Sequence, residues 1–212
     1  MMTVTTENAA GAIPEAAATG ENGVRAALYG VFAHLFADRP SAELLERIAE
    51  ADQMIIAEDS VLAREWQSLC AAAAAASPAA VSDEYDALFV SPSLPPVSLY
   101  ASSHMSGRLR GQVLAELRED LARIGYVRAD DSNEYEDHFS ALCDVMRGLI
   151  GEAAMSEEAA EQQQVFFQHY LAPWHGRLFE KVDQAAGADF YRKVARVADA
   201  FLTHETQYFE LA

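Results

Sequence analysis

The sequence predicts an all-α fold: a single-domain bundle of about eight to ten helices. Three observations carry that expectation. Large apolar side chains recur at three- and four-residue spacing along nearly the whole chain, the pattern of helices with one buried stripe. Residues that start helices (Ser, Asn, Asp) and residues that stop them (Gly, Pro) fall between those stripes. No run alternates apolar and polar side chains between turn signals, and no segment repeats at a fixed period.

Residues 1–21 hold hardly any large apolar side chain and are expected to form a disordered tail, leaving 22–212 as the helical domain. Val24, Leu28, Val31, Phe32, Leu35 and Phe36 then form the first stripe, closed by Asp38, Arg39 and Pro40. Ser41 can cap a second helix that buries Leu44, Leu45 and Ile48. A third is expected over Ser60 to Ala76, where the run Ala71 to Ala76 has the highest helix propensity of the chain.

Ser77 and Pro78 stop that helix, and Ser82 can cap a short one carrying Tyr85, Leu88 and Phe89. The stretch from Ser91 to Pro96 cannot continue a helix and is the main break. A long helix is expected over roughly Met105 to Ile124, with Leu114, Leu117, Leu121 and Ile124 inward and Gly125 as its left-handed terminator.

Asn133, with Glu136 three residues on, predicts a helix start, and that helix buries Phe139, Leu142, Met146 and Leu149. Ser156 opens another that runs to about Leu171. Pro173 suits the first turn of the next, which places Trp174, Leu178 and Val182 inward and ends at Gly187. Asp189 can cap the last, whose stripe is Phe190, Val194, Val197 and Phe201.

Charge narrows the function. Fifteen basic residues, of which only Lys181 and Lys193 are lysines, face 33 acidic ones, a net charge of −18. Such a chain repels phosphate backbones, so nucleic acid is not an expected partner, whereas a basic or amphipathic peptide is. Cys70 and Cys143 are far apart and suit the core better than a thiolate site. No Lys or Arg precedes Arg25, so no export signal is expected; no apolar run approaches the roughly 20 residues of a membrane span, and a cytoplasmic location follows as an expectation.

Catalysis has no support from residues. A di-iron bundle needs Glu-x-x-His pairs, and none occurs; no metalloprotease, nucleophile-elbow or phosphate-loop pattern is present. No cofactor and no metal is expected.

Three segments remain: Tyr85-Asp86-Ala87-Leu88-Phe89-Val90-Ser91-Pro92, continued by Pro95-Pro96-Val97-Ser98-Leu99-Tyr100; Asn133-Glu134-Tyr135-Glu136-Asp137-His138-Phe139; and Phe167-Gln168-His169-Tyr170-Leu171-Ala172-Pro173-Trp174. In this order they resemble the TorD/DmsD family, in which an aromatic-x-x-Leu-Phe-x-Gly-Pro element, a Glu-Pro-x-Asp-His element and a His-x-x-x-Pro-Trp element recur. Phe190-Tyr191-Arg192 also resembles the family pattern. Ser91 stands where the family usually has Gly, and Tyr135 where it has Pro.

The resemblance implies a non-enzymatic chaperone that binds the twin-arginine signal peptide, the apoenzyme, or both, of a molybdopterin-dependent oxidoreductase and delays export until the cofactor is inserted. It also nominates a peptide-binding set: Tyr85, Leu88, Phe89, Pro92, Pro96, Ser98, Tyr100, Glu134, Asp137, His138, His169 and Trp174. Acids would meet the paired guanidinium groups, and the apolar side chains would wall a groove. Each has a plainer reading. Tyr85, Leu88 and Phe89 at helical spacing suit a core, acids suit a helix start, and His169 suits a helix end. A helical adaptor for another partner's amphipathic helix, unrelated to export, and a nucleotide-binding regulator both remain open at this point.

Overall fold

The computed structural model describes residues 20–51, 60–90, 94–105, 110–127, 134–153 and 156–211. Among them nine α-helices follow in order: α1 (Glu21–Ala37), α2 (Ala42–Glu50), α3 (Val61–Ala75), α4 (Pro78–Tyr85), α5 (Arg110–Arg123), α6 (Phe139–Ala153), α7 (Glu157–Tyr170), α8 (His175–Gln184) and α9 (Phe190–Leu211). A π-turn, Asp86–Val90, prolongs α4, and a 3-10 turn spans Ala101–Ser103. Among the described residues the only extended pairing is an isolated antiparallel bridge between Tyr100 and His138. The all-α, multi-helix architecture expected from apolar spacing is the one found. Pro92, Asn133 and residues 1–19 of the expected tail lie outside the described residues.

Local chemistry explains many boundaries. The hydroxyls of Ser41, Ser60 and Ser156 accept the N–H groups of Leu44, Ala63 and Ala159 at 3.0–3.1 Å, capping α2, α3 and α7. Gly125 has φ 81° and follows α5. The Tyr126 N–H reaches the Leu121 carbonyl at 2.8 Å and the Gly125 N–H that of Ala122 at 3.3 Å, so the helix ends in a Schellman motif.

Five boundaries differ from the sequence expectation. Ser82 does not start the short helix: Pro78 occupies its first turn, and the Ser82 hydroxyl donates to the Pro78 carbonyl at 2.9 Å. Met105 is not helical; its N–H reaches the Ala101 carbonyl at 3.0 Å, and α5 begins at Arg110. The helix expected from Asn133 begins at Phe139, because residues 134–138 pair with the Tyr100–Ser103 segment instead of coiling. Pro173 lies in the turn before α8, which begins at His175.

The fifth is the cap of α9. Asp189 turns its carboxylate to Lys193 at 2.9 Å, and the helix start is held by Glu84 of α4. The Glu84 carboxylate accepts from the N–H groups of Asp189, Phe190 and Tyr191 at 2.9, 3.1 and 2.8 Å. An acid bonded to free amides at the positive end of a helix combines a cap with a dipole contact.

The chain divides into two compact units. The first comprises residues to Ala37 and Tyr100–Trp174, and therefore α1, α5, α6 and α7. Its α6 packs against α1 and α7. Leu28, Phe32, Leu35 and Phe36 of α1 and Phe139, Leu142, Met146 and Leu149 of α6 are buried, and Phe36 meets Phe139 edge to face at 5.1 Å. Cys143 is a buried free thiol here, as expected for a core residue.

The second unit comprises Asp38–Leu99 and the residues from His175 onward, and therefore α2, α3, α4, α8 and α9. Its α9 packs on α3, α8 and α4, and α2 packs on α3. Trp66 is buried and donates its indole N–H to the Ala51 carbonyl at the end of α2 at 2.8 Å. Cys70, the other buried free thiol, lies on the same helix.

Two substitutions test this packing. A Cβ at Gly148 of α6 would sit 2.2 Å from the Tyr126 hydroxyl, on a buried ring whose hydroxyl donates to Glu152 at 3.2 Å. Gly148→Ala should cost about 1–3 kcal/mol despite its better helix propensity. Adding Tyr126→Phe should recover part of that loss in a urea-denaturation cycle, and strict additivity would show that the clash is absent. Glu84→Ala should cost about 1–2 kcal/mol, with Glu84→Gln intermediate. A change of only a few tenths in the Ala variant would exclude the long-range cap.

Candidate peptide-binding site

The predicted site residues fall into two groups, one in each unit. The first unit carries Tyr100, Glu134, Asp137, His138, His169 and Trp174; the second carries Tyr85, Leu88, Phe89, Pro96 and Ser98. Pro92 is not among the described residues.

In the first unit, the segment 134–138 is laid along the start of the 3-10 turn. The Ala101 N–H donates to the Asp137 carbonyl at 2.9 Å, and the Ser102 N–H to Asp137 Oδ2 at 3.0 Å. Asp137 is therefore only 2% exposed, although the resemblance nominates it to meet a peptide guanidinium. A buried carboxylate needs such a donor, and of the two consecutive amides at the mouth of the turn one bonds the Asp137 carbonyl and the next its carboxylate.

His138 takes over the role expected of Asn133. Its carbonyl accepts the first bond of α6, from the Leu142 N–H at 3.1 Å, and its ring Nδ1 accepts from the Ser140 N–H at 3.3 Å. The Ser140 hydroxyl lies 2.7 Å from the same nitrogen. This arrangement requires a neutral ring protonated at Nε2. Burial pushes the His138 pKa down to about 4, against the opposing pull of Glu134 and Asp137.

The neighbouring acids are also engaged. Tyr100 donates its hydroxyl to Glu134, and its ring meets those of His138 at 5.0 Å and Tyr135 at 6.3 Å. Burial and the Glu134 carboxylate both raise the Tyr100 pKa, so its hydroxyl stays a donor. Glu136 is held by Arg118 of α5 through two parallel bonds, Nε to Oε1 at 2.9 Å and Nη2 to Oε2 at 3.0 Å. Tyr135 is exposed.

Trp174 is buried, donates its indole N–H to the Tyr170 carbonyl at 2.6 Å, and stacks on His104 with ring centroids 5.2 Å apart. Its other neighbour is Phe139, edge to face at 6.0 Å. Tyr170 in turn donates its hydroxyl to Asp120 of α5 at 2.5 Å. His169 is exposed, and its Nδ1 lies 2.8 Å from the Val165 carbonyl within its own helix, the satisfied helix-end histidine of the plainer reading.

In the second unit, Tyr85 and Leu88 are buried, while Phe89 is half-buried and Pro96 exposed. Tyr85, Phe89 and Tyr191 form a three-ring cluster with centroids 5.1–5.8 Å apart. Val97 donates its N–H to the Leu88 carbonyl at 3.2 Å, fastening the chain after the break to the π-turn; Ser98, one residue on, is half-buried. The apolar surface of this region comes from Val90, Leu94 and Pro96.

Sequence reasoning missed Arg118, His104, Ser140 and Glu84. All but Ser140 reach partners far away in the chain. Ser140 does carry a local signal, being two residues beyond the true cap, but only once that cap is placed at His138. Among the described residues no three His, Cys, Asp or Glu side chains gather where they could hold a metal ion, and no helix is long and apolar enough to cross a membrane.

The chain is similar to known proteins. A family model described as nitrate reductase delta subunit matches residues 57–180, a stretch that contains every predicted site residue. The chaperone protein YcdY of Escherichia coli K12 is 31% identical over 117 residues, which are 54% of this chain and 57% of that protein. The chain thus spans little more than half the length of that relative. A crystal structure assigned to a redox enzyme maturation protein of Archaeoglobus fulgidus has the same fold, with TM-score 0.57 and 20% identity over 87% of this chain and 96% of that one.

The buried cap makes a pH prediction. The folded His138 pKa, about 4, lies below the 6.5 of a free histidine. As pH falls from about 6.5 towards 4, the unfolded chain takes up a proton that the fold refuses, and stability is lost; above pH 6.5 both states are neutral and the term vanishes. Between pH 7 and 5 this residue should contribute a loss of about 2 kcal/mol. His138→Asn keeps a cap acceptor without titrating, so its urea midpoint should fall less over that interval than that of the wild type. Equal falls would mean that the ring is not held neutral.

Proposed function

Because the chain belongs to the nitrate reductase delta subunit family, within the TorD-like group of redox enzyme maturation proteins, we propose that it is a cytoplasmic chaperone for a molybdopterin-dependent oxidoreductase precursor. It binds the twin-arginine signal peptide of that precursor, assists cofactor insertion and delays export. The observation that carries this reading is that the family match spans all three motif segments. Curated and structural relatives bear the names of a chaperone and a maturation protein rather than of a catalyst.

The first unit supports the arginine end of the proposed ligand. Its segment 134–138 holds three carboxylates over five residues, and the segment is anchored on two backbone amides, those of Ala101 and Ser102. An anchored site loses less entropy on binding than one that must be ordered. In that reading Asp137 and His138 act by positioning the segment, while Glu134, Tyr135 and Glu136 lie nearest the ligand. Taken by itself, the second unit exposes apolar side chains at Val90, Leu94 and Pro96.

Magnitudes divide the labour. Burying about 400 Å² of apolar peptide yields on the order of 10 kcal/mol before ordering costs, at about 25 cal/mol per Å². Exposed arginine–carboxylate pairs add about 0.2–1 kcal/mol each. Apolar contact therefore sets affinity, while the acids and the net charge of −18 set specificity and encounter rate.

Titration calorimetry with a twin-arginine signal peptide and its Lys-Lys counterpart tests the reading. The Arg-Arg peptide should bind about two- to tenfold tighter, because only guanidinium engages a carboxylate through two parallel bonds. Equal affinities would favour a general adaptor for amphipathic helices, and no binding of either would remove signal-peptide recognition from the proposal.

A further inference from the structure

Of the three acids in the segment, two have partners that an incoming peptide would not replace in kind. Asp137 is engaged by backbone amides and is 2% exposed. Glu134 accepts the Tyr100 hydroxyl, a neutral donor whose ionisation the site opposes. Glu136 differs: its carboxylate is bonded to a guanidinium belonging to the chain itself, through the same pair of hydrogen bonds that a peptide arginine would use.

Exposure adds a direction to this contact. The Glu136 side chain is 9% exposed and that of Arg118 is 48% exposed, so the arginine is the more solvated member of the pair. Its own charge is readily solvated, so it can swing into water when another cation takes its place. Moving a guanidinium away from a covered carboxylate without replacing it would be far more costly, because the charge stays desolvated while losing attraction that offset that penalty. Exchange of one guanidinium for another avoids that state.

We infer that Arg118 is an internal stand-in for a peptide arginine, occupying Glu136 in the free protein and yielding it when a signal peptide binds. The inference rests on the twin-arginine reading above and assigns that site a regulatory contact. Two consequences follow. The pair keeps Glu136 in fork geometry before any ligand arrives, which favours arginine over lysine. It also sets a threshold, since a single basic side chain without apolar contacts gains nothing by replacing Arg118 with itself.

The test uses the full chain with Arg118→Met, Arg118→Lys and the double variant Arg118→Met/Glu136→Gln, titrated with the Arg-Arg and Lys-Lys peptides beside thermal melts. Removing the competitor should tighten Arg-Arg binding by about two- to fivefold, the strength of the displaced pair. The gain should be smaller for Lys-Lys and absent in the double variant. Arg118→Lys, which keeps the charge but loses the fork, should fall between the wild type and Arg118→Met; it carries the test if Arg118→Met melts too low to titrate. If the wild type binds the Arg-Arg peptide and neither single variant binds it more tightly, the stand-in is overturned and signal-peptide recognition stands. Binding by no variant at all overturns both.

Discussion

Asp137 is tied to the Ala101–Ser103 turn by its carbonyl and by its carboxylate at once, and most of the first unit's ordering follows from that double tie. It stops residues 134–138 from coiling into a helix and lays them against Tyr100. Held there, His138 becomes the cap of α6, so Phe139 enters the core in the first turn and meets Phe36 and Trp174. The same placement brings Glu136 to Arg118 and Glu134 to Tyr100. A buried carboxylate thus sets a backbone path, and the path distributes the remaining acids.

A second chain of contacts fixes the helix opposite. The indole of Trp174 bonds to the Tyr170 carbonyl, and the Tyr170 hydroxyl bonds to Asp120 on α5, two residues beyond Arg118. Trp174 also stacks on His104, just past the 3-10 turn. The Pro-Trp element and the Asp-His element therefore act on one another through a shared aromatic core. Both elements thereby hold the segment 134–138, in which Tyr135 is exposed, Glu134 half-buried and Glu136 buried.

What was legible in the sequence was local. The stripes of α1, α6 and α9, the caps Ser41, Ser60 and Ser156, and the Gly125 terminator each depend on residues within one or two turns. The misread boundaries are those where a local signal met a stronger competitor. Ser82 lost to a proline better suited to the first turn, and Asn133-x-x-Glu136 lost to pairing with a segment more than thirty residues away. Of the predicted site, the motif residues do gather around defined structures within each unit. Their roles were harder to read, because a carboxylate written in a motif does not reveal whether amides or a guanidinium will meet it. Arg118, eighteen residues from its partner, leaves no mark in a local pattern.

The tie between Glu84 and the start of α9 joins residues 105–107 positions apart. It therefore imposes an order on vectorial synthesis. The first unit has all of its helices once Trp174 has left the ribosome, whereas the second holds α3 and α4 without α9, on which both pack, until that helix emerges. During that interval the faces of α3 and α4 that α9 will cover stay open. The nascent protein is for that time itself in need of protection: partly built, with surface destined for the core still open to water.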